Sequence, residues 1–180
     1  MDTFSTPIKL FLIKYLTLGC LLFALGATPV QASWQTLLPN AKPVGSGELR
    51  RFGFLIYDAQ FFTSSGLFSP NQPFALQLVY ARTIAKNRIV TASLDELENL
   101  GFDVGANPQW RAELEKVLAD VKEGDTLTGV YLPGQGAVFF LNDQLTGRLD
   151  DSLAQAFFSI WFDPRTSEPE LRTALIGESK

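Results

Sequence analysis

The chain reads as an α+β domain, an antiparallel sheet with helices packed on one of its faces. Three observations predict this. Phe74, Leu76, Leu78 and Tyr80 alternate at period two, the mark of a half-buried strand. Ile89, Val90, Leu94, Leu97 and Leu100 recur at helical spacings instead. The elements also come in blocks (strands, a helix pair, strands, a helix pair), an order that fits antiparallel strands covered by helices rather than alternating βαβ units.

Each element has a local reason. Glu48 to Phe52 is a short extended segment, with the Gly45-Ser46-Gly47 run read as a turn leading into it and Gly53 as a turn or bulge after it. Phe54 to Phe62 is aromatic and β-branched enough for a strand, and its apolar residues fall on both parities, so both of its faces are expected to be covered. Ser69-Pro70-Asn71-Gln72-Pro73 is a loop by turn chemistry, and the strand Phe74 to Tyr80 follows. A helix begins near Lys86, with Gly101 placed as its C-terminal cap. Asn107 and Pro108 open a second helix, in which Trp110, Leu114, Val117, Leu118 and Val121 share a face. Asp125 to Leu132 and Ala137 to Leu141 read as strands around the turn Pro133 to Gly136, and Asn142-Asp143 turns the chain into a last strand, Gln144 to Leu149. Asp150-Asp151-Ser152 caps a helix running through Phe157, Phe158, Ile160 and Trp161. Ser167 and Glu170 fit a capping box for a final helix ending before Gly177.

The first thirty-two residues read as an address. Lys9 and Lys14 precede an apolar run from Tyr15 to Ala27, and Val30 and Ala32 are small residues at the spacing signal peptidase reads. The run is too short to cross a bilayer, which takes roughly 20 residues. Cys20 has most of the apolar run after it, the wrong order for lipoprotein processing. The expectation is a secretory signal peptide over residues 1–32, cleaved after Ala32, a secreted or periplasmic location, and one domain over residues 33–180. Removing Lys9, Lys14 and Asp2 with the leader makes the remainder one unit more acidic than the −4 of the whole chain, and it leaves no cysteine. Without disulfides the exported domain depends on its core, and at this length it buries roughly 70% of its unfolded surface.

Composition closes off much chemistry. With no histidine, Ser-His-Asp and Cys-His arrangements and His-ligated metals are excluded. With no cysteine after the leader, thiol and iron–sulfur chemistry go too. No phosphate-cradling glycine fingerprint and no carboxylate cluster with calcium-loop spacing occurs, so no metal and no cofactor is expected. A pI near 4.8 argues against nucleic acid, which calls for a basic face, and on the same ground against anionic membrane surfaces.

What remains is a set of arginines in or beside apolar strands, where a guanidinium must find an anion or a carbonyl. Arg50, Arg51 and Arg82 are the candidates, with Tyr57 and Tyr80 as further donors to a bound ligand and Asp58 as an internal ion-pair partner. The fifteen phenylalanines suit either a pocket for an apolar molecule or a sheet-on-helix core.

Several motifs carry a resemblance: Gly45-x-Gly47-Glu48-Leu49-Arg50, Phe54-x-x-Tyr57-Asp58-Ala59, Pro73-Phe74-Ala75-Leu76, Gly129-Val130-Tyr131-Leu132-Pro133-Gly134 and Ala156-Phe157-Phe158-x-x-Trp161-x-Asp163-Pro164. In these the chain resembles the bacterial exported chalcone isomerase-like proteins from about Val44 to Gly177. The resemblance implies an open-faced β-sandwich of the chalcone isomerase type. It also implies a site in which an arginine of the early strand, Arg50 or Arg51, holds an oxyanion. The family's threonine in the next strand falls at about Asp58. Its Tyr and Asn belong to the segment Thr83 to Leu94, where only Asn87 stands, out of register. An arginine kept while the ketone-polarising groups are missing resembles the non-catalytic members, some of which bind fatty acids through Arg and Tyr.

Three functions follow. The first is an exported, non-catalytic binding protein that holds a small apolar or amphipathic acid, a fatty acid or aromatic acid, in a sheet–helix cleft through Arg50, Arg51, Tyr57, Asp58, Tyr80 and Arg82, with no catalytic residue. The second is an isomerase or lyase on an enone or phenolic substrate, the third a ligand-free interaction module. Around the arginine, catalysis predicts hydroxyl donors across the cleft, binding an apolar tunnel beside it, and scaffolding a carboxylate that fills the site.

Overall fold

The computed structural model describes residues 33–177, so the leader expected over residues 1–32 and its cleavage after Ala32 lie outside the described residues. Six strands, β1 (Lys42–Arg51), β2 (Phe54–Thr63), β3 (Phe74–Tyr80), β4 (Thr126–Leu132), β5 (Gly136–Leu141) and β6 (Gln144–Leu149), form one antiparallel sheet in chain order. Helices α1 (Lys86–Asn99) and α2 (Gln109–Val117) intervene between β3 and β4, and α3 (Asp151–Phe162) and α4 (Pro169–Ile176) follow β6. This is the predicted α+β architecture, with all four helices on one face: α4 lies on β1 and β2, α3 on β5, α2 on β6, and α1 against α2 and α3.

Strand alternation builds the core. Tyr57, Ala59 and Phe61 of β2 pair with Tyr80, Leu78 and Leu76 of β3, and all six side chains are buried on the helix side. Phe61 is wholly buried and meets the rings of Phe162, Phe74 and Phe68 at centroid distances of 4.8, 5.5 and 5.8 Å. The opposite face is covered at one end only. There a 3-10 turn (Trp34–Thr36) sets Trp34 and Leu38 over Ala75, Val130, Val138 and Phe140, with Trp34 5.2 Å from the Phe62 ring. The expectation that both faces of β2 are covered therefore holds at Phe62, whereas Asp58 and Gln60 are exposed.

The predicted elements recur with instructive differences. β1 begins at Lys42, so the glycines read as a turn before it are strand residues. Their purpose is close approach: a Cβ on Gly45 would lie 2.0 Å from the Ala174 carbonyl oxygen, and one on Gly47 would lie 2.8 Å from Leu171 Cδ1. Only bare backbone lets α4 seat here. α2 stops at Val117; Leu118 and Val121, expected on its face, are buried beyond it, and Val121 bridges to Ile84. α4 starts at Pro169 without the expected capping box, because the Ser167 N–H donates to Glu96 Oε1 (3.0 Å) and Glu168 pairs with Arg51.

Several signals behave as read. Gly101 takes φ +90° after α1, its N–H donating to the Glu98 carbonyl (2.9 Å) and the Phe102 N–H to the Leu97 carbonyl (3.0 Å), a Schellman closure. Asp150 Oδ1 accepts from the Leu153 N–H (2.9 Å) at the start of α3. The β1–β2 turn has positive φ at both central residues, +52° at Phe52 and +81° at Gly53, as a type I′ turn requires. The glycine is at home there and the phenylalanine is not.

Two outcomes are expected. Gly45→Val, which drives side-chain carbons into the α4 carbonyls, costs at least about 2 kcal/mol in urea unfolding. Phe52→Asn restores the favoured Asn-Gly turn and raises stability by about 1 kcal/mol in the same assay.

Candidate functional site

A β-bulge prepares the site. Leu49 pairs with Tyr57 while the next residue, Arg50, pairs with Leu55, so Ile56 is an extra residue on β2 and both Ile56 and Tyr57 turn to the helix side. Tyr57 and Tyr80 lie side by side on β2 and β3, their rings 5.8 Å apart and edge to face. Above them sit α1, α3 and the start of α4. Phe61, Phe74, Phe158 and Phe162 pack ring on ring between sheet and helices. At the Tyr57–Tyr80 end that packing fails, and a cavity of about 250 Å³ remains.

Its walls are aliphatic and aromatic, among them Leu49, Ile56, Leu78, Ile84, Leu127 and Phe157. Polar groups are few and placed. The buried Trp161 donates its indole N–H to the Tyr57 hydroxyl oxygen (3.0 Å). A buried indole N–H needs such a partner, and taking the acceptor side of Tyr57 leaves that phenol its own proton to give. No hydrogen bond engages the Tyr80 hydroxyl among the described residues. Burial pushes both phenols above the ordinary tyrosine range; the indole bond eases Tyr57 slightly, and the neighbouring Tyr57 adds to the rise at Tyr80. Both are neutral donors at any physiological pH.

The rim is charged. Arg51 reaches across to Glu168, joining β1 to the approach to α4, and Glu96 of α1 takes the Ser167 N–H, so two cross-links tie the rim together. Arg88 and Ser93 of α1 complete the lining. The Arg51–Glu168 pair is partly exposed, with side-chain accessibilities of 48% and 30%, so it contributes at most about 1 kcal/mol and an incoming anion can open it. A second hollow of about 440 Å³ lies across α3, between Phe68, Phe74, Phe158, Phe162 and Arg172. It is larger but more open and more polar, and none of the six candidates lines it.

Of those six, the structure gathers Arg51, Tyr57 and Tyr80 in the cavity. It does not bring the others in. Arg50 points to the outer face and its Nε donates to Glu48 Oε2 (2.7 Å). Asp58 is exposed on that same face, opposite Glu48 and Val79, without an ion pair to the arginines. Arg82 lies past the end of β3, where the chain bends, and its guanidinium sits 4.7 Å above the Phe54 ring. The question of which arginine faces the cavity is settled by strand parity, in favour of Arg51. Sequence reasoning missed Glu168, Glu96 and Arg88 as rim residues and read Trp161 as core. The signal for Trp161 was its indole N–H, which inside an apolar helix face must find an acceptor.

Raised phenol pKa values fix the sign of a pH dependence. The folded state holds the Tyr57 and Tyr80 protons more tightly than the unfolded chain, so their stabilisation is complete below about pH 10 and is lost as pH rises beyond it. Ultraviolet titration of the phenols is expected to show Tyr57 and Tyr80 ionising only together with alkaline unfolding; smooth ionisation with the fold intact would contradict their burial.

A family model described as chalcone isomerase-like matches residues 63–177. Among solved structures, the chain is similar to a fatty-acid binding protein of Arabidopsis thaliana, with a TM-score of 0.63 and 8% sequence identity over 77% of this chain and 88% of that one. At that identity the likeness speaks for the fold. A search of curated proteins finds no match. A sheet with helices on one face, a cavity between them and a family match over most of the folded unit agree: the chain belongs to the chalcone isomerase-like family.

Proposed function

We propose that this protein is a non-catalytic binding protein, exported by the segment read as a leader, that holds a small apolar molecule carrying an acidic group. The observation that carries the reading is the cavity itself: about 250 Å³ of space walled mostly by hydrocarbon, with two phenol hydroxyls at its wall and two guanidiniums in its lining. Hydrocarbon walls favour an apolar body by burial, roughly 25 cal/mol per Å² removed from water. The donors select an oxygen-bearing end. Tyr57 and Tyr80 offer protons at the wall, and Arg51 and Arg88 offer charge at the rim. The similarity to a structure titled a fatty-acid binding protein supports this ligand class.

The isomerase reading has less support. Asp58, at the position of the family's threonine, lies on the outer face, and Arg51 already has a carboxylate beside it. That same Arg51–Glu168 pair favours the ligand-free module as the second reading, since a carboxylate partner is what scaffolding predicts. Glu168 holds the rim, however, and leaves the cavity behind it open.

Native mass spectrometry of the protein from its own host, followed by organic extraction, decides between the two. A stoichiometric organic acid is expected, retained at least about tenfold less well by Arg51→Ala, since a hydrogen bond to a charged group is worth about 1.5–3 kcal/mol. Arg50→Ala is expected to retain it as the wild type does. An empty protein that also ignores fatty and aromatic acids would establish the ligand-free module.

A further inference from the structure

The corner of the molecule beside the cavity carries an arrangement that neither fold nor ligand requires. Phe52, at the apex of the β1–β2 hairpin, is 98% exposed. It also sits in the left-handed region at φ +52°, where an aromatic residue is uncommon and Asn or Gly is favoured. Stability alone selects against this residue twice, for its ring in water and for its backbone. Phe54, across the turn, is 60% exposed. Three arginines adjoin the turn or its rings, and a fourth lines the neighbouring cavity. Arg50 and Arg51 precede the turn, Arg82 lies over Phe54, and Arg88 lines the same cavity as Arg51 and Ile56. Glu48 and Glu168 pair with Arg50 and Arg51, whereas no carboxylate pairs with Arg82 or Arg88 among the described residues.

We infer that this hairpin tip is a contact for an anionic lipid bilayer surface, with Phe52 as the inserted ring and the arginines meeting the headgroups. Exposed aromatic rings flanked by cations are the composition that settles at a membrane interface, and each Arg near an anionic surface adds to the attraction. The overall acidity that argued against such surfaces is spread over the whole chain, while screening confines attraction to charges within about 10 Å of the lipid. A second copy of this chain fits less well, because Arg82, which no carboxylate pairs among the described residues, would face itself across such a contact. The contact stands on the hairpin alone. Its use, passing an apolar ligand between bilayer and cavity at the rim formed by Arg51 and Ile56, rests on the binding reading above.

The test is co-sedimentation of residues 33–180, which hold the entire sheet, all four helices and both apolar clusters, with vesicles of phosphatidylcholine alone or mixed with phosphatidylglycerol. Partition onto the mixed vesicles is expected, weakened by added salt and by roughly tenfold or more in Phe52→Asn, a variant chosen because its turn is favoured. The Phe52→Asn protein is expected to keep any extracted acid in solution, since Phe52 does not line the cavity. Vesicle binding that persists undiminished in Phe52→Asn, or that fails on the mixed vesicles, overturns the inference and leaves the cavity reading untouched. Self-association abolished by Phe52→Asn would also overturn it, in favour of a second copy. If vesicle binding holds but no ligand is found, the contact survives and the transfer role falls.

Discussion

The aromatic row on the helix-facing side of β2, β3 and β4 is the constraint from which the rest of this molecule follows. Phe61 is wholly buried, Phe74 on β3 and then Tyr131 on β4 continue the row from it, and Phe158 and Phe162 come down from α3 to meet them. Removing one such ring from a core costs about 3–5 kcal/mol, a large share of the stability of a domain this size. Where the rings meet, they pack edge to face between sheet and helix, with a more open hollow beside them at Phe68 and Arg172. At the other end of the same strands, phenols and aliphatic side chains stand where the row would need more rings. The cavity opens at that end, with Phe157 and Trp161 of α3 as its aromatic boundary.

That space is apolar, which makes its few polar atoms consequential. A buried phenol left without a partner costs free energy, and so does an indole N–H. Trp161 and Tyr57 satisfy one another across the sheet–helix interface, and the direction of that hydrogen bond sets the direction of the next. Because the indole can only donate, the Tyr57 oxygen accepts and its proton is free to point into the cavity. A packing requirement of α3 thereby becomes a polarity requirement on whatever enters. The rim follows a different logic: Arg51–Glu168 and Glu96–Ser167 tie β1 and α1 to the approach to α4 by polar links near solvent, which open at small cost.

The hairpin beyond the rim marks the limit of a purely architectural account. At several positions residue type and fold agree: glycine where α4 needs bare backbone, glycine in left-handed geometry after α1, aspartate at the α3 cap. At Phe52 they conflict, and the conflict sits beside the cavity mouth among cations. Conflicts of this kind concentrate at working surfaces.

The sequence by itself determined the element types, most of their boundaries and the fold class, because alternation, caps and turn residues are local and act over a few positions. It determined that histidine chemistry was closed, since the chain has no histidine, and it singled out arginines and tyrosines as the residues to watch. It misread β1, since nothing local distinguishes a glycine that makes a turn from one that makes room for a distant helix. It also left Arg50 and Arg51 unresolved. Adjacent strand residues face opposite ways, and only pairing with β2, with its bulge at Ile56, decides which one faces in. Glu168, Trp161 and Arg88 came to the cavity through contacts more than a hundred residues apart in some cases, as between Tyr57 and Trp161. Such meetings depend on how the helices settle onto the sheet, which is a property of the assembled packing and of no single segment.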